Sequence, residues 1–159
     1  MTSEDQLAIR DLVDRYAAAI DDLRIDDAVG LFLADGVLVT PAAPKQLGPT
    51  LTHRGPDAIA AEMAALRHFS STFHAVHGVV VDLVDDDSAT GRVSCTAHHL
   101  SAGEEKHRDL MWNLVYRDTY RRTTDGWRFV RREQQIVSIH THSPRAVSGP
   151  VADVQEESP

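Results

Sequence analysis

Between Phe73 and His99 the chain reads FHAVHGVVVDLVDDDSATGRVSCTAHH, two strand patterns joined by the acidic turn Asp85-Asp86-Asp87-Ser88. His74 stands at the entrance of the first strand and His99 at the exit of the second. A hairpin folds those two ends back beside each other, so both imidazoles can reach one cavity. An imidazole, with an unperturbed pKa of about 6.5, is neutral and basic near pH 7 without much tuning. It can therefore remove a proton from carbon next to a carbonyl or a leaving group. A carboxylate on the far ring nitrogen would fix the tautomer and stabilise the imidazolium that forms. Asp21 is the candidate for that role, and His99 for donating a proton to a departing hydroxide or holding an enolate oxygen. Such chemistry calls for no cofactor and no metal.

Asp21 is singled out by its setting. From Asp5 to about Leu23, Ile9, Leu12, Val13, Tyr16 and Ile20 recur at spacings of three and four, one apolar helical stripe. Asp21 lies at the border of that stripe, beside Ala17 and Val13. It is also near the helix C-terminus, where the macrodipole disfavours a carboxylate. The plainer reading is a solvated acid in the Asp21-Asp22 pair. Both stay open on the residues alone.

Asp26 then reads as the N-cap of a short helix from Asp27 to about Leu33. Ala34-Asp35-Gly36 reads as a turn, and residues 37–40 as a short strand ending at Thr40. Pro41 to Thr52 has no period and reads as a loop, and Pro56 opens a third helix carrying Ile59, Met63 and Leu66 on one face. Everything after that is β. The valines of 79–81 suggest a strand buried on both faces. In the next strand Val93, Cys95, Ala97 and His99 share one face and His98 takes the other. A long strand then puts Leu110, Trp112, Leu114, Tyr116, Asp118 and Tyr120 together, the better candidate for a pocket wall. Asp118 there reads either as a catalytic acid or as the buried partner of an arginine such as Arg131. The last strand runs from Trp127 to about His140.

Composition bounds the rest. With 159 residues, 42% apolar and 25% charged, the chain is most simply one soluble domain over 1–142, with residues 143–159 a disordered tail. A net charge of −8 argues against nucleic acid, and Arg121 to Arg132 alternate as on a solvated sheet face. No apolar run approaches the roughly 20 residues of a membrane span. There is no signal-peptide pattern, and Cys95 is alone, so a cytoplasmic location is expected. His98, His99 and His107, or His140 and His142, lack zinc spacings, so no metal site is expected.

Three stretches carry a resemblance: IRDLVDRYAAAIDDLRIDDAVGLF at 9–32, HRGPDAIAAEM at 53–63 and YRDTYRRTTDGWRFVRRE at 116–133. The chain resembles the SnoaL-like branch of the nuclear-transport-factor-2-like superfamily, which includes scytalone dehydratase and hexachlorocyclohexane dehydrochlorinase. The resemblance implies an α+β cone, a strongly bent antiparallel sheet with three N-terminal helices enclosing a pocket. It also lays a catalytic aspartate on Asp21 and a catalytic histidine on His74, and the dehydratase's second histidine on His99. Two water-holding tyrosines of the dehydratase fall on Ile20 and Thr40, so scytalone itself is not expected as the substrate. Tyr116, Trp112, Tyr16 and Thr40 are the substrate-binding candidates. The implied function is a cofactor-independent, dehydratase-like lyase or isomerase acting on a small apolar or cyclic substrate. The alternatives are a non-catalytic small-molecule binder or polyketide-cyclase-like protein, and an oligomerisation module. A homodimer or homotrimer is expected, packing through an outer sheet face that includes Val130 and Ile136.

Overall fold

The computed structural model of the chain describes residues 3–149. Helix α1 (Ser3–Asp21) forms on the expected stripe: Ile9, Leu12, Val13, Tyr16 and Ile20 are all buried. At roughly 1.5–3 kcal/mol for each large aliphatic side chain removed from water, that stripe fixes how the helix lies and where its last residue falls. Leu23 stops it in a left-handed conformation (φ 55°), and the Arg24 amide closes on the Ala19 carbonyl at 2.8 Å.

The second helix, α2 (Ile25–Gly30), starts two residues before the expected Asp27, and Asp26 lies in its first turn rather than capping it. Burial of Ile25 in the core decides that start. Strand β1 (Phe32–Pro41) follows, then β2 (Pro49–Arg54), α3 (Pro56–Ala64) with a 3-10 turn (Ala65–His68), β3 (Ser71–Leu83), β4 (Ser88–Ser101), β5 (Arg108–Thr123) and β6 (Gly126–His142). The expected turn at Ala34-Asp35-Gly36 is an excursion inside β1: pairing with β6 jumps from Phe32–Phe129 to Val37–Arg131. Strand β2 occupies part of the stretch read as a loop.

All six strands form one sheet in the order β2-β1-β6-β5-β4-β3, antiparallel except for the parallel β1–β6 pair. The sheet curls without closing, and α1, α2 and α3 lie across its hollow. Bulges add a residue to one strand, bend it and exchange its faces. His77 in β3, and Val130 and Val137 in β6, are such extra residues.

Three departures from the expected faces are seen, and the two in β6 follow from its Val130 bulge. Val80 is exposed, so β3 is not buried on both sides. Ile136 pairs with Leu114 and is buried on the hollow side, so it is not part of an outer interface. Arg132 is buried rather than part of a solvated face, and it, not Arg131, takes Asp118. Gly91 serves the same packing, since a Cβ there would lie 2.7 Å from the Tyr120 ring.

No helix among the described residues is long and apolar enough to cross a membrane. The expected tail from 143 is described only as far as residue 149, where the Ser148 carbonyl accepts a bond from the Ser71 hydroxyl at 2.9 Å. The remainder of it lies outside the described residues.

Candidate active site

The end of α1 meets the start of β3. Thr72 and His74, two residues apart, face the hollow together, and Asp21 accepts from both. The Thr72 hydroxyl reaches Oδ1 at 2.9 Å, the His74 amide reaches Oδ2 at 2.8 Å, and Nδ1 of the His74 ring lies 2.7 Å from Oδ1. A carboxylate only accepts, so Nδ1 carries the hydrogen and Nε2 of the neutral ring keeps a lone pair. Burial alone would raise the Asp21 carboxyl, but the bond from the His74 ring, the electrostatic attraction of that ring, the His74 amide and Thr72 outweigh it. The group therefore sits below its ordinary 3.8. A solvated acid is not what the structure shows at Asp21; its side chain is 18% exposed and fully engaged.

His99 pairs across the hairpin with Thr72, so its ring comes to the same side as His74, with centroids 6.1 Å apart. It is held between Phe69 (5.0 Å) and Trp112 (4.7 Å), and its Nδ1 lies 2.9 Å from the Leu110 carbonyl. A carbonyl only accepts, so Nδ1 donates and Nε2 is again a lone pair. Burial pushes the pKa of His99 down from 6.5 to about 4, against the opposing effect of the Leu110 carbonyl. At neutral pH the ring is therefore an acceptor. The expected donation to a leaving hydroxide or an enolate oxygen would need the imidazolium, which this environment disfavours.

His74 and His99 line one cavity of about 180 Å³, with Tyr16, Thr40, Trp112 and Tyr116 also on its walls. All four substrate-binding candidates thus face the same space as the two imidazoles. Asp21 stands behind His74 and does not reach the cavity. Burial raises the Tyr16 hydroxyl to about 12 and Tyr116 well above 10, so both phenols keep their protons and can only donate or accept hydrogen bonds. Burial likewise lifts the Cys95 thiol to about 12, which removes it as a nucleophile at neutral pH.

Below the cavity Arg132 stacks on Tyr116 at 4.0 Å, Tyr16 at 4.3 Å and Phe129 at 4.5 Å. It donates twice to Asp118, at 3.0 Å each, and Asp118 also accepts from the Tyr120 hydroxyl at 2.8 Å. Burial works against the guanidinium charge, but Asp118 outweighs it and raises the arginine's pKa. Asp118 is thus a structural partner under the floor, away from the cavity. His77, the bulged residue, turns outward to Thr96, with Nε2 2.7 Å from its hydroxyl.

Four polar features were not anticipated: Glu62 and Gln134 on the cavity wall, His53 behind Thr40, and Thr72 on Asp21. Glu62 carried a readable signal. It lies three residues after Ile59 and four before Leu66, inside the apolar stripe of α3. Thr72 carried none, because nothing in its spacing tells that a helix end will meet it.

Comparison with known proteins agrees with this architecture. The SnoaL-like domain family matches residues 1–133. An uncharacterized protein of Mycobacterium tuberculosis is 34% identical over 128 residues, covering 80% of this chain and 82% of the relative. Among solved structures, a candidate aromatic ring hydroxylase from Novosphingobium aromaticivorans superposes with a TM-score of 0.75 at 23% identity over 91% of this chain and 96% of that one. A candidate scytalone dehydratase from the same organism gives 0.72 at 20% identity, over 94% and 97%. A hexachlorocyclohexane dehydrochlorinase gives 0.74 at 15% identity, over 95% and 100%. At such identities these structures speak for the fold alone. The fold is the nuclear-transport-factor-2-like cone, and the chain belongs to the SnoaL-like domain family.

Proposed function

We propose that the protein is a cofactor-independent lyase or isomerase of dehydratase type, acting on a small, largely apolar or cyclic compound. The observation that carries this is the 2.7 Å contact between Asp21 and Nδ1 of a His74 ring that lines the cavity. It leaves the basic nitrogen for a substrate and a fixed negative charge behind it. In the step proposed, Nε2 of His74 takes a proton from carbon, and the C–H electron pair forms a double bond. In an elimination that bond forms as the bond to a neighbouring hydroxyl breaks, and the imidazolium returns its proton to the departing oxygen as water. In an isomerisation the proton returns to a different carbon. His99, as an acceptor, orients a substrate hydroxyl. The likeness to structures named for a dehydratase and a dehydrochlorinase is one of fold, and the identities are too low to lend a reaction or a substrate.

Positioned base catalysis contributes about 10²–10⁴-fold. His74→Ala should therefore lower turnover of cyclic β-hydroxy ketones, or deuterium uptake by cyclic ketones in D2O, by at least two orders of magnitude. Asp21→Asn should do nearly as much, while circular dichroism shows both variants folded. Rates within a few-fold of the parent would remove the dyad from the mechanism. A panel compound bound and recovered unchanged and unlabelled from the parent protein would favour the binder instead.

A further inference from the structure

Across the cavity from His74, a second polar cluster faces inward. Thr40 of β1 and Glu62 of α3 both line the cavity, and His53 of β2 stands behind them. Nε2 of His53 lies 3.0 Å from the Thr40 hydroxyl and 3.5 Å from Oε2 of Glu62. One nitrogen thus meets two oxygens, and the neighbouring carboxylate favours a hydrogen on it. With a lone pair on Nε2, the Glu62 carboxylate would face a second source of negative charge. With a hydrogen there, the ring donates to Thr40 and is attracted by Glu62. Thr40 then accepts from His53, and its own proton is left for the cavity.

We propose that His53 and Glu62 are positioning residues that fix the Thr40 hydroxyl as a hydrogen-bond donor into the cavity, so that the site recognises a neutral carbonyl compound and turns anions away. The complementarity supports the class. His74 and His99 both offer lone pairs, so a bound carbonyl oxygen must find its donor elsewhere; the Tyr16 and Tyr116 phenols and the Trp112 indole N–H also line the cavity, and Thr40 is the donor that the His53–Glu62 pair orients. Among the described residues no lysine or arginine lines the cavity, while Glu62 does, so a carboxylate or phosphate would lose its water for no opposite charge. The volume sets the size: since a 150 Å³ apolar cavity admits benzene, about 180 Å³ holds one ring with substituents, or two small fused rings. This reading deepens the proposed function and rests on the same cavity.

The test uses 1-indanone labelled with ¹³C at its carbonyl, with benzoate as the anionic competitor. The parent protein should bind indanone at least tenfold more tightly than benzoate. The carbonyl resonance should move downfield on binding. Thr40→Val should abolish that movement and weaken binding about three- to tenfold, the effect of losing one hydrogen bond. Thr40→Ser should restore both, and Glu62→Gln should shrink the movement and narrow the gap to benzoate. Failure of indanone to bind, equal affinity for benzoate, or an unchanged carbonyl resonance in Thr40→Val would overturn the assignment. His74→Ala separates the two proposals, since it should keep the downfield carbonyl while losing deuterium exchange at the neighbouring carbon. A shifted carbonyl with no exchange in the parent sinks the dyad alone. Exchange with an unshifted carbonyl sinks this assignment alone.

Discussion

Asp21 ends a helix whose dipole opposes it by about 0.3–1 kcal/mol. Three hydrogen bonds, each worth about 1.5–3 kcal/mol when one partner is charged, outweigh that cost, so the carboxylate stays ionised and immobile. His99 is the opposite case, a base held neutral by burial. Its folded pKa of about 4 lies below the ordinary 6.5, so between those values the unfolded chain takes up a proton that the native ring refuses. Stability contributed by this residue is therefore lost as pH falls from 6.5 toward 4, at up to about 1.4 kcal/mol per pH unit. Asp21 acts lower: its contribution is present above 3.8 and disappears only as pH falls through its depressed folded value. Urea denaturation at pH 7 and pH 5 should show the loss in the parent protein and a markedly flatter dependence in His99→Gln. Equal slopes would mean that the native ring takes up the proton freely.

At the scale of elements, the helices and the four long strands were legible because each carries runs of apolar residues at a helical or strand period. Strand β2 was not. Its residues are half-buried or exposed throughout, so it is held by backbone pairing with β1 and leaves no hydrophobic alternation to read. The face of a strand was legible only as far as its first bulge. In β6, Val130 is the extra residue, and beyond it the inward positions move from odd to even numbers, which is why Arg132 and not Arg131 is buried. The consequence is a charged pair in the core, where removing one partner costs about 3–5 kcal/mol. Arg132→Met should destabilise the fold by about that much in urea, and adding Asp118→Leu should recover most of it. A loss under 1 kcal/mol for the single variant would show that Asp118 finds another partner.

Over the whole molecule, the sequence carried the first wall of the cavity better than the second. Asp21, His74 and His99 stood out because two histidines at the ends of a hairpin and an acid at the end of a helix are unusual positions for their types. Glu62 could have been noticed for its place in the apolar stripe of α3, but His53 looks like an ordinary surface residue until β2 is folded beside Thr40, so only the tertiary arrangement reveals it. In that arrangement Thr40 and Glu62 face the same hollow as the two imidazoles, with His53 behind them. The central claim is that His74 turns its lone pair into the hollow because Asp21 holds the other nitrogen. Nitrogen-15 NMR of histidine-labelled protein at neutral pH tests this without any substrate. His74 should be protonated at Nδ1 and bare at Nε2, with the Nδ1 proton far downfield and lost from that position in Asp21→Asn. A His74 ring protonated at Nε2, or one whose signals ignore the Asp21 substitution, would contradict it.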